Sequence, residues 1–195
     1  MMTALLLASG SPRRAELLSQ VGVPFTVLPP PDVDETPHAG EAPLDYVARL
    51  AAAKALAGQA AHRPAGAVLG ADTAVVLGER ILGKPHDDEH ALTMLEALNG
   101  REHRVISAVC LCLAGQRRAA LSVTRVCFRE LPLARLRAYV ATGEGRDKAG
   151  GYGIQGLGAA LVASLTGSYS GVVGLPLEHT LPLLEWADIP YWQPR

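Results

Sequence analysis

Two adjacent arginines begin a predicted helix, directly after a short apolar strand and a turn of small residues. Leu5–Ala8 have the continuous apolar character of a covered strand, while Ser11 and Pro12 suit the N-cap and the first helical position. The N-terminus of a helix attracts anions, and an arginine side chain can form two parallel hydrogen bonds to phosphate oxygens. Arg13 and Arg14 therefore indicate either a phosphate-binding site or a pair of solvated surface residues.

A carboxylate interrupts a strongly apolar predicted strand. Asp72 and Thr73 lie inside the run Ala67–Leu77, and burial of a carboxylate is costly unless a cation or hydrogen bonds compensate. Because carboxylates with perturbed pKa values cluster at functional sites, we favour a catalytic or metal-binding role for Asp72 over a structural salt bridge. A turn at residues 78–80 then leads the chain back beside this strand and delivers Lys84 near the carboxylate.

A third informative segment, residues 144–156, contains five glycines among thirteen residues. Such a density of glycine lets the backbone approach a ligand closely. Within the segment, Lys148 can supply charge to a phosphate, and the Gln155 amide offers the donor and acceptor needed to read the edge of a base. The alternative is a flexible surface loop, which Tyr152 and Ile154 make less favourable because both side chains need packing partners.

Three further groups of residues have two readings each. Lys54 lies at the edge of the apolar face of a helix predicted over residues 44–56, where its ammonium either reaches phosphate or extends over the core. The acidic cluster at residues 32–35 is either a solvated loop or a source of ligands for a divalent cation. His86 and His90 have the spacing of a zinc pair, but they lie at an exposed helix start and are interpreted as surface residues.

The composition predicts one domain, residues 1–195, with a hydrophobic fraction of 49% that is ordinary for a globular chain. A net charge of -1 gives no general attraction to nucleic acid or to acidic membranes. Cys110, Cys112 and Cys127 lie in apolar runs typical of buried strand thiols in a reducing compartment, and the Cys-x-Cys pair is a weak metal signal. No segment is long and apolar enough for a bilayer and no signal peptide is evident, so we predict a cytoplasmic protein.

Hydrophobic periodicity predicts strands and helices along the whole chain. The predicted strands are residues 5–8, 25–28, 67–77, 81–83, 103–113, 119–128 and 157–165. The predicted helices are residues 12–21, 44–56, 87–98 and 133–141, followed by a last helix that begins near residues 174–176. The segment between residues 58 and 66 is predicted to be a loop.

Seven segments of the chain, in order, resemble the Maf family of nucleoside triphosphate pyrophosphatases. The segments are LASGSPRRAELL, ARLAAAKA, GADTAVV, ILGKP, ALTMLEALNGREHRV, GEGRDKAGGYGIQG and VVGLPL, and the resemblance as a whole runs from residue 5 to about residue 184. This resemblance implies an α/β fold with an extended mixed β-sheet flanked by helices. It also implies two lobes around a cleft, as in the architecture of inosine triphosphate pyrophosphatases.

The same resemblance implies a reaction and a set of residues. The reaction is hydrolysis of a nucleoside triphosphate between the α- and β-phosphates with Mg²⁺ or Mn²⁺, in a house-cleaning role towards non-standard nucleotides. Asp72 matches the family's catalytic aspartate, and Glu35 matches its loop glutamate, so these two carboxylates are the expected metal ligands. The positions that match the family's polar substrate-binding residues are Ser9, Arg13, Arg14, Lys54, Lys84 and Lys148.

Three positions bear on the choice of nucleotide. Arg13, Thr73 and Gln155 resemble the set found in family members that prefer dTTP and UTP. The first alternative is the 7-methyl-GTP type, which this chain resembles less at the Asp-Thr pair and at the Tyr-Gly-Ile-Gln stretch. The second alternative is a non-catalytic nucleotide-binding regulator of cell division. The expected partner is the nucleotide, with a homodimer left open.

Overall fold

A mixed β-sheet of seven strands forms the centre of the computed structural model, which describes residues 3–62 and 66–192. Its strands are β1 (Leu5–Ala8), β2 (Phe25–Val27), β3 (Ala67–Leu77), β4 (Arg80–Leu82), β5 (Glu102–Leu113), β6 (Gln116–Phe128) and β7 (Val162–Thr166). The strand order is β2-β1-β3-β5-β6-β7, and β4 pairs separately with β3. The pairs β1–β2 and β1–β3 are parallel, whereas the other pairs are antiparallel.

Helices flank this sheet on both faces. Across the described residues they are α1 (Pro12–Gln20), α2 (Pro43–His62), α3 (Asp88–Leu98), α4 (Leu133–Ala141), α5 (Tyr169–Val173) and α6 (Leu177–Trp186). Two short 3₁₀ turns, Ala149–Gly151 and Leu157–Leu161, join α4 to β7. The predicted α/β class with a mixed sheet flanked by helices is therefore confirmed.

The hydrophobic core is divided into separate clusters, and this division defines two lobes. On one face of the sheet, α2 packs on β3 and β5 through a cluster that includes Val47, Ile106 and Cys110. The opposite face carries two separate clusters, one joining α1 and α6 to the β1 end of the sheet and one joining α3 and α4 to the β4 end. In β3, Ala71 belongs to the first of these clusters and Val75 to the second. The boundary between the lobes therefore crosses the middle of β3.

The packing of α2 on β3 depends on Gly70. Side chains alternate along a strand, so Gly70 and Asp72 face α2 while the residue between them faces the other side. A Cβ atom on Gly70 would overlap backbone atoms of Ala51 and Ala55 in α2. Glycine at this position lets the helix lie directly against the strand, which brings the neighbouring turn of α2 beside Asp72.

One edge of β3 is open in its middle. β1 pairs with β3 as far as Ala8 opposite Gly70, and β4 pairs with it from Val75 onwards. In the described part of the chain, no strand covers residues 71–74 on that side. The carboxyl end of a parallel strand is a common place for a ligand, and here the gap lies beside the carboxyl end of β1.

The prediction of a single strand over residues 157–165 is wrong in its first half. Leu157–Leu161 form a 3₁₀ turn, and the strand covers Val162–Thr166. The apolar run resembles a strand, but the Glu144 carboxylate accepts hydrogen bonds from the backbone N–H groups of Leu157 and Gly158 and so holds this backbone out of the sheet.

Two other differences concern helices. α2 continues to His62 instead of ending near residue 56, because Gly58 does not break it and packs against Ala8 and Val68. The short helix α5 was not predicted from the sequence.

Among the cysteines, Cys110 and Cys112 are buried as expected, whereas Cys127 is partly exposed. Within residues 3–62 and 66–192, no helix combines the length and the apolarity that crossing a membrane requires.

Candidate active site

A cleft of about 860 Å³ lies between the two lobes at the open edge of β3. Its walls come from the start of α1, the middle of β3, the end of β4, and the glycine-rich segment 144–156. The ten site residues predicted from the sequence all line it: Ser9, Arg13, Arg14, Glu35, Lys54, Asp72, Thr73, Lys84, Lys148 and Gln155. The structure thus brings together residues that are up to 146 positions apart in the chain.

The charges that line the cleft nearly balance. Five cationic side chains, those of Arg13, Arg14, Lys54, Lys84 and Lys148, face four carboxylates, those of Glu35, Asp72, Glu144 and Asp147. The surplus is positive, while the chain as a whole has a net charge of -1. The cleft can therefore attract a polyanion although the chain as a whole is slightly negative.

Asp72 and Lys54 form an ion pair at the base of the cleft. Asp72 is 7% exposed, and Lys54 Nζ donates a hydrogen bond of 2.7 Å to Asp72 Oδ1. The same ammonium lies 2.7 Å from Glu35 Oε1, whose side chain is 56% exposed. Lys54 therefore pairs with both carboxylates that were predicted to be metal ligands.

The environment of Asp72 favours a basic carboxylate. Burial raises the pKa of Asp72 above its usual value, and this effect outweighs the nearby cations Lys54 and Arg14, which lower the pKa. A raised pKa makes a carboxylate a stronger proton acceptor, while the ion pair with Lys54 favours its charged form. Asp72 is therefore suited to accept a proton within the cleft.

The loop that carries Glu35 is fastened to α2. The Tyr46 hydroxyl donates to the backbone oxygen of Glu35 at 2.9 Å, and Arg49 donates to the backbone oxygen of Thr36 at 3.1 Å. Arg49 also pairs with Glu41 through two N–H groups, and these hydrogen bonds lower the pKa of Glu41 to about 2. These contacts hold the Glu35 carboxylate over Lys54.

Glu35 and Asp72 fit a cation that the substrate helps to bind. In the described residues, no group of three or more histidine, cysteine, aspartate or glutamate side chains converges as a metal site. Mg²⁺ is commonly held by one or two carboxylates together with substrate phosphate oxygens, without an all-protein cage. Glu35 and Asp72, which converge on one ammonium, are the two carboxylates that could take part in such a site.

Arg14 is buried where β1, β3 and the end of α5 meet. Its guanidinium donates to the Gly174 backbone oxygen at 2.8 Å, to Ser9 Oγ at 3.0 Å and to Thr73 Oγ1 at 3.4 Å. Burial lowers the pKa of Arg14, and the nearby Asp72 carboxylate opposes this effect. Three of the five N–H donors of an arginine are thus engaged by the protein, which fixes the guanidinium in the cleft wall.

Thr73 is part of the same polar network. Its hydroxyl lies 2.8 Å from Ser107 Oγ, the residue directly opposite on β5, and Ser107 donates to the Gly171 backbone oxygen at 2.6 Å. The network lies at the boundary between the two apolar clusters of this face. Thr73 therefore helps to orient Arg14 and links the cleft to α5.

Arg13 and Lys148 approach each other from opposite walls of the cleft through Asp147. The Asp147 carboxylate lies 3.3 Å from Arg13 Nη1 and accepts from Lys148 Nζ at 2.7 Å. The side chains of Arg13 and Lys148 are 26% and 19% exposed. These two cations are close enough to share one anionic group, a role that Asp147 has in this structure.

Lys84 and Gln155 line the cleft with exposed side chains. Lys84 follows β4, and the neighbouring Gly83 backbone oxygen accepts from Gly150 N at 3.0 Å. This hydrogen bond connects the end of β4 to the glycine-rich segment that carries Gln155. The segments that place Lys84 and Gln155 at the cleft are therefore joined by a backbone hydrogen bond.

Several residues of the site were not singled out from the sequence. Asp147 lies in the glycine-rich segment 144–156. An aspartate between Arg146 and Lys148 is typical of a solvated loop, so it was not singled out. Ser107 could have been found by the signal that identified Asp72, a polar residue inside an apolar strand. Tyr46 gave no signal, because its hydroxyl reaches Glu35 only once the loop and α2 have folded together.

The chain is similar to known proteins over nearly its whole length. The sequence profile of the Maf-like protein family matches residues 4–187. A dTTP/UTP pyrophosphatase from Alcanivorax borkumensis is 69% identical over 189 residues, which cover 97% of this chain and 98% of that relative. A dTTP/UTP pyrophosphatase from Methylococcus capsulatus is 53% identical, with 92% of this chain and 89% of that relative covered.

A more distant likeness is found among solved structures. The nucleoside-triphosphatase / dITP/XTP pyrophosphatase from Mycobacterium abscessus superposes with a TM-score of 0.45 at 17% identity, over 94% of this chain and 95% of that one. The α/β class itself rests on the strands and helices described above. Because the Maf-like profile spans nearly the whole chain and close relatives align over nearly their full lengths, this chain belongs to the Maf-like protein family.

Proposed function

We propose that this chain hydrolyses nucleoside triphosphates between the α- and β-phosphates, preferring dTTP and UTP, and releases the nucleoside monophosphate and pyrophosphate. The observation that carries the proposal is Asp72, a buried carboxylate with a raised pKa in a cleft lined by five cations. The relatives named dTTP/UTP pyrophosphatase support the choice of substrate. A house-cleaning role towards non-standard nucleotides belongs to the same proposal.

The cations bind and orient the triphosphate. Arg13 and Lys148 flank one side of the cleft, and a phosphate group can replace Asp147 between them. Lys84 and the two uncommitted N–H groups of Arg14 supply further donors, with Ser9 close to the guanidinium. Because these groups are held by the fold before the substrate arrives, they stabilise the charge of the reacting phosphates without reorganisation.

Asp72 serves as the base. It accepts a proton from a water molecule as the water oxygen forms a bond to the α-phosphorus and the bond to the bridging oxygen of the β-phosphate breaks. The pyrophosphate group leaves with the electron pair of that bond. Lys54 keeps Asp72 in its charged form until the proton is transferred.

Glu35 and Asp72 would hold Mg²⁺ or Mn²⁺ together with the substrate's phosphate oxygens. The four carboxylates of the cleft offset most of the charge of its five cationic side chains. When bound, the divalent cation would supply the further positive charge that a triphosphate needs. In this chain, Tyr46 and Arg49 hold the Glu35 loop in place for that purpose.

The preference for dTTP and UTP is assigned to Arg13, Thr73 and Gln155. The Gln155 amide is exposed to the cleft and can both donate and accept, which suits the edge of a pyrimidine base. Thr73 acts indirectly in this proposal, because its hydroxyl is engaged with Ser107 and Arg14.

The remaining parts of the proposal concern context. Residues 1–195 form one domain, supported by the single sheet that both lobes share. The cytoplasm is the proposed compartment, in line with three free cysteines. A nucleic acid is not a proposed partner, in line with the net charge of -1, and a homodimer stays a prediction.

The test is product analysis with a panel of nucleotides. Purified protein is incubated with Mg²⁺ in water enriched in ¹⁸O, separately with dTTP, UTP, CTP, GTP and 7-methyl-GTP. The products are separated and their masses are measured by mass spectrometry. We expect pyrophosphate from dTTP and UTP, with the ¹⁸O label in the monophosphate, because the water attacks the α-phosphorus. Mn²⁺ in place of Mg²⁺ and a chelator measure the dependence on the metal.

Each of the other possible results of this experiment would contradict a different part of the proposed function. Orthophosphate as the first product would overturn cleavage between the α- and β-phosphates, and label in pyrophosphate would place the attack on the β-phosphorus. Faster turnover of 7-methyl-GTP would favour the alternative subfamily. Tight nucleotide binding without any product would favour the non-catalytic regulator of cell division.

A further inference from the structure

The Glu144 carboxylate lines the cleft but differs from the other carboxylates there, because its partners are backbone N–H groups and a phenol. Glu144 Oε2 accepts from Leu157 N at 2.7 Å. Glu144 Oε1 accepts from Gly158 N at 2.8 Å and from the Tyr139 hydroxyl at 3.0 Å. The carboxylate therefore fastens the backbone just after Gln155.

Tyr139 extends this fastening to the backbone just before Gln155. The Tyr139 hydroxyl accepts from Gly153 N at 3.2 Å while it donates to Glu144. An ionised carboxylate can only accept, so the direction of every hydrogen bond in this set is fixed. Glu144 and Tyr139 together hold the two ends of the short segment that presents Gln155 to the cleft.

The titration of both groups is consistent with this direction. Burial acts to raise the pKa of Glu144, but hydrogen bonds from the backbone of Gly158 and Leu157 outweigh it, and the net pKa is lowered. Burial raises the pKa of the Tyr139 phenol, so the phenol keeps the proton that it donates. The carboxylate is thus an acceptor and the phenol a donor near neutral pH.

The glycines of this segment fit closely around the two side chains. A Cβ atom on Gly156 would overlap the Glu144 carboxylate, and a Cβ atom on Gly158 would lie 2.8 Å from the Tyr139 hydroxyl. The density of glycine in this region therefore serves the packing of the segment on Glu144 and Tyr139. In this arrangement the backbone on either side of Gln155 makes all of its hydrogen bonds to Glu144 and Tyr139 at once.

We infer that Glu144 and Tyr139 are positioning residues for base selection, which fix the backbone around Gln155 so that its amide reads the pyrimidine edge. This inference rests on the proposed function and adds two residues that act through Gln155. Neither side chain needs to contact the base. A change of the Glu144 side chain leaves the hydrogen bond from Lys148 Nζ to the Glu144 backbone oxygen in place and removes only the attraction between the two charges.

The test compares UTP with CTP, which differ only at the base edge. The variants are Glu144→Gln, which loses one acceptor, Tyr139→Phe, which breaks the link to Gly153, and Gln155→Ala. Glu144→Gln and Tyr139→Phe should each lower the ratio of kcat/KM for UTP over CTP by about tenfold, mainly through KM for UTP. The matched control is Glu96→Gln, an exposed glutamate of α3 outside the cleft lining, which should keep the wild-type ratio.

A double variant separates positioning from general damage. If Glu144 acts through Gln155, then adding Glu144→Gln to Gln155→Ala should leave the UTP/CTP ratio of Gln155→Ala unchanged. Inhibition by inorganic tripolyphosphate, which lacks a base, should be the same in wild type and Glu144→Gln. Thermal unfolding of each variant identifies any that fails to fold, in which case Tyr139→Phe carries the test.

The outcomes distinguish this inference from the proposed function. A wild-type ratio in both Glu144→Gln and Tyr139→Phe would overturn the inference while the proposed function stands. An equal loss for UTP, CTP and tripolyphosphate would also overturn it, since that pattern indicates a purely structural role. Absence of pyrophosphate release by the wild-type protein would overturn the proposed function and the inference that rests on it.

Discussion

Asp72 is a costly residue to place in an apolar strand, and its neighbours show how the cost is met. The Lys54 ammonium lies 2.7 Å from its carboxylate and the Arg14 guanidinium adds a second favourable charge. Burial still raises the pKa of Asp72. A buried carboxylate whose pKa is raised although a cation pairs with it is a candidate for a base.

Removal of the Lys54 charge should change the pH dependence of the reaction. Lys54 lowers the pKa of Asp72, so in Lys54→Gln that pKa should rise further. Asp72 must be deprotonated to accept a proton, and activity is lost as pH falls through its pKa. The acidic limb of kcat/KM against pH should therefore move to higher pH, in addition to a lower maximum.

Arg137→Gln is the matched control for Lys54→Gln. It removes one positive charge from an exposed position on α4, outside the cleft lining. Its acidic limb should coincide with that of the wild type. An acidic limb that stays at the wild-type pH in Lys54→Gln would show that the limb does not belong to Asp72.

The sequence identified individual residues where their chemistry conflicts with their surroundings. Asp72 and Thr73 could be predicted because they are polar within an apolar strand, and Arg13 because it lies at a helix start. Asp147 and Glu144 could not, because an acid in a glycine-rich loop is usually solvated. Their distant partners, Arg13 for Asp147 and the backbone of Gly158 for Glu144, come close only when the chain has folded.

At the scale of elements, the cleft results from a gap in strand pairing. β1 ends opposite Gly70 and β4 ends opposite Val75, so the polar residues of β3 lie at an open edge between two apolar clusters. α2 closes the opposite face of the sheet. The position of the ion pair therefore depends on how closely α2 approaches β3.

Gly70→Ala tests this dependence. The added Cβ would overlap the backbone of Ala51 and Ala55, which must shift. We expect the free energy of unfolding to fall by about 1–3 kcal/mol, as measured by urea denaturation. The rate of pyrophosphate release should also fall, because a displaced α2 separates Lys54 from Asp72.

Gly83→Ala provides the comparison for stability. A Cβ at this position would meet no atom within 4 Å, and the residue does not have a positive φ angle. Its free energy of unfolding should stay close to that of the wild type. Equal stability of Gly70→Ala and Gly83→Ala would contradict the close packing of α2 on β3.

The order of elements was largely predictable, whereas some boundaries and short elements were not. β1, β3 and α4 have the predicted bounds because apolar periodicity and turn residues agree there. The 3₁₀ turn Leu157–Leu161 was taken for strand because its apolar run does not reveal that Glu144 binds its backbone. The pairing gap in β3 depends on which strands become neighbours, and local hydrophobic periodicity does not show which strands pair.

At the scale of the whole molecule, charge and shape select the same place. The chain has a net charge of -1, yet five cations are gathered in a single cleft between the lobes. That cleft lies where the sheet leaves an edge open, and it contains every site residue predicted from the sequence. A triphosphate is the ligand that this combination of size and charge suits best.

The most direct test of this account is Asp72→Asn. The amide has the shape of the carboxylate, and Lys54 retains Glu35 as a partner, so the variant should fold and bind nucleotide. Pyrophosphate release from dTTP and UTP is measured with Mg²⁺, and nucleotide binding is measured separately by calorimetry. We expect turnover to fall by at least about 10²-fold with binding retained. Turnover at the wild-type rate by a folded Asp72→Asn protein would contradict the assignment of Asp72 as the base.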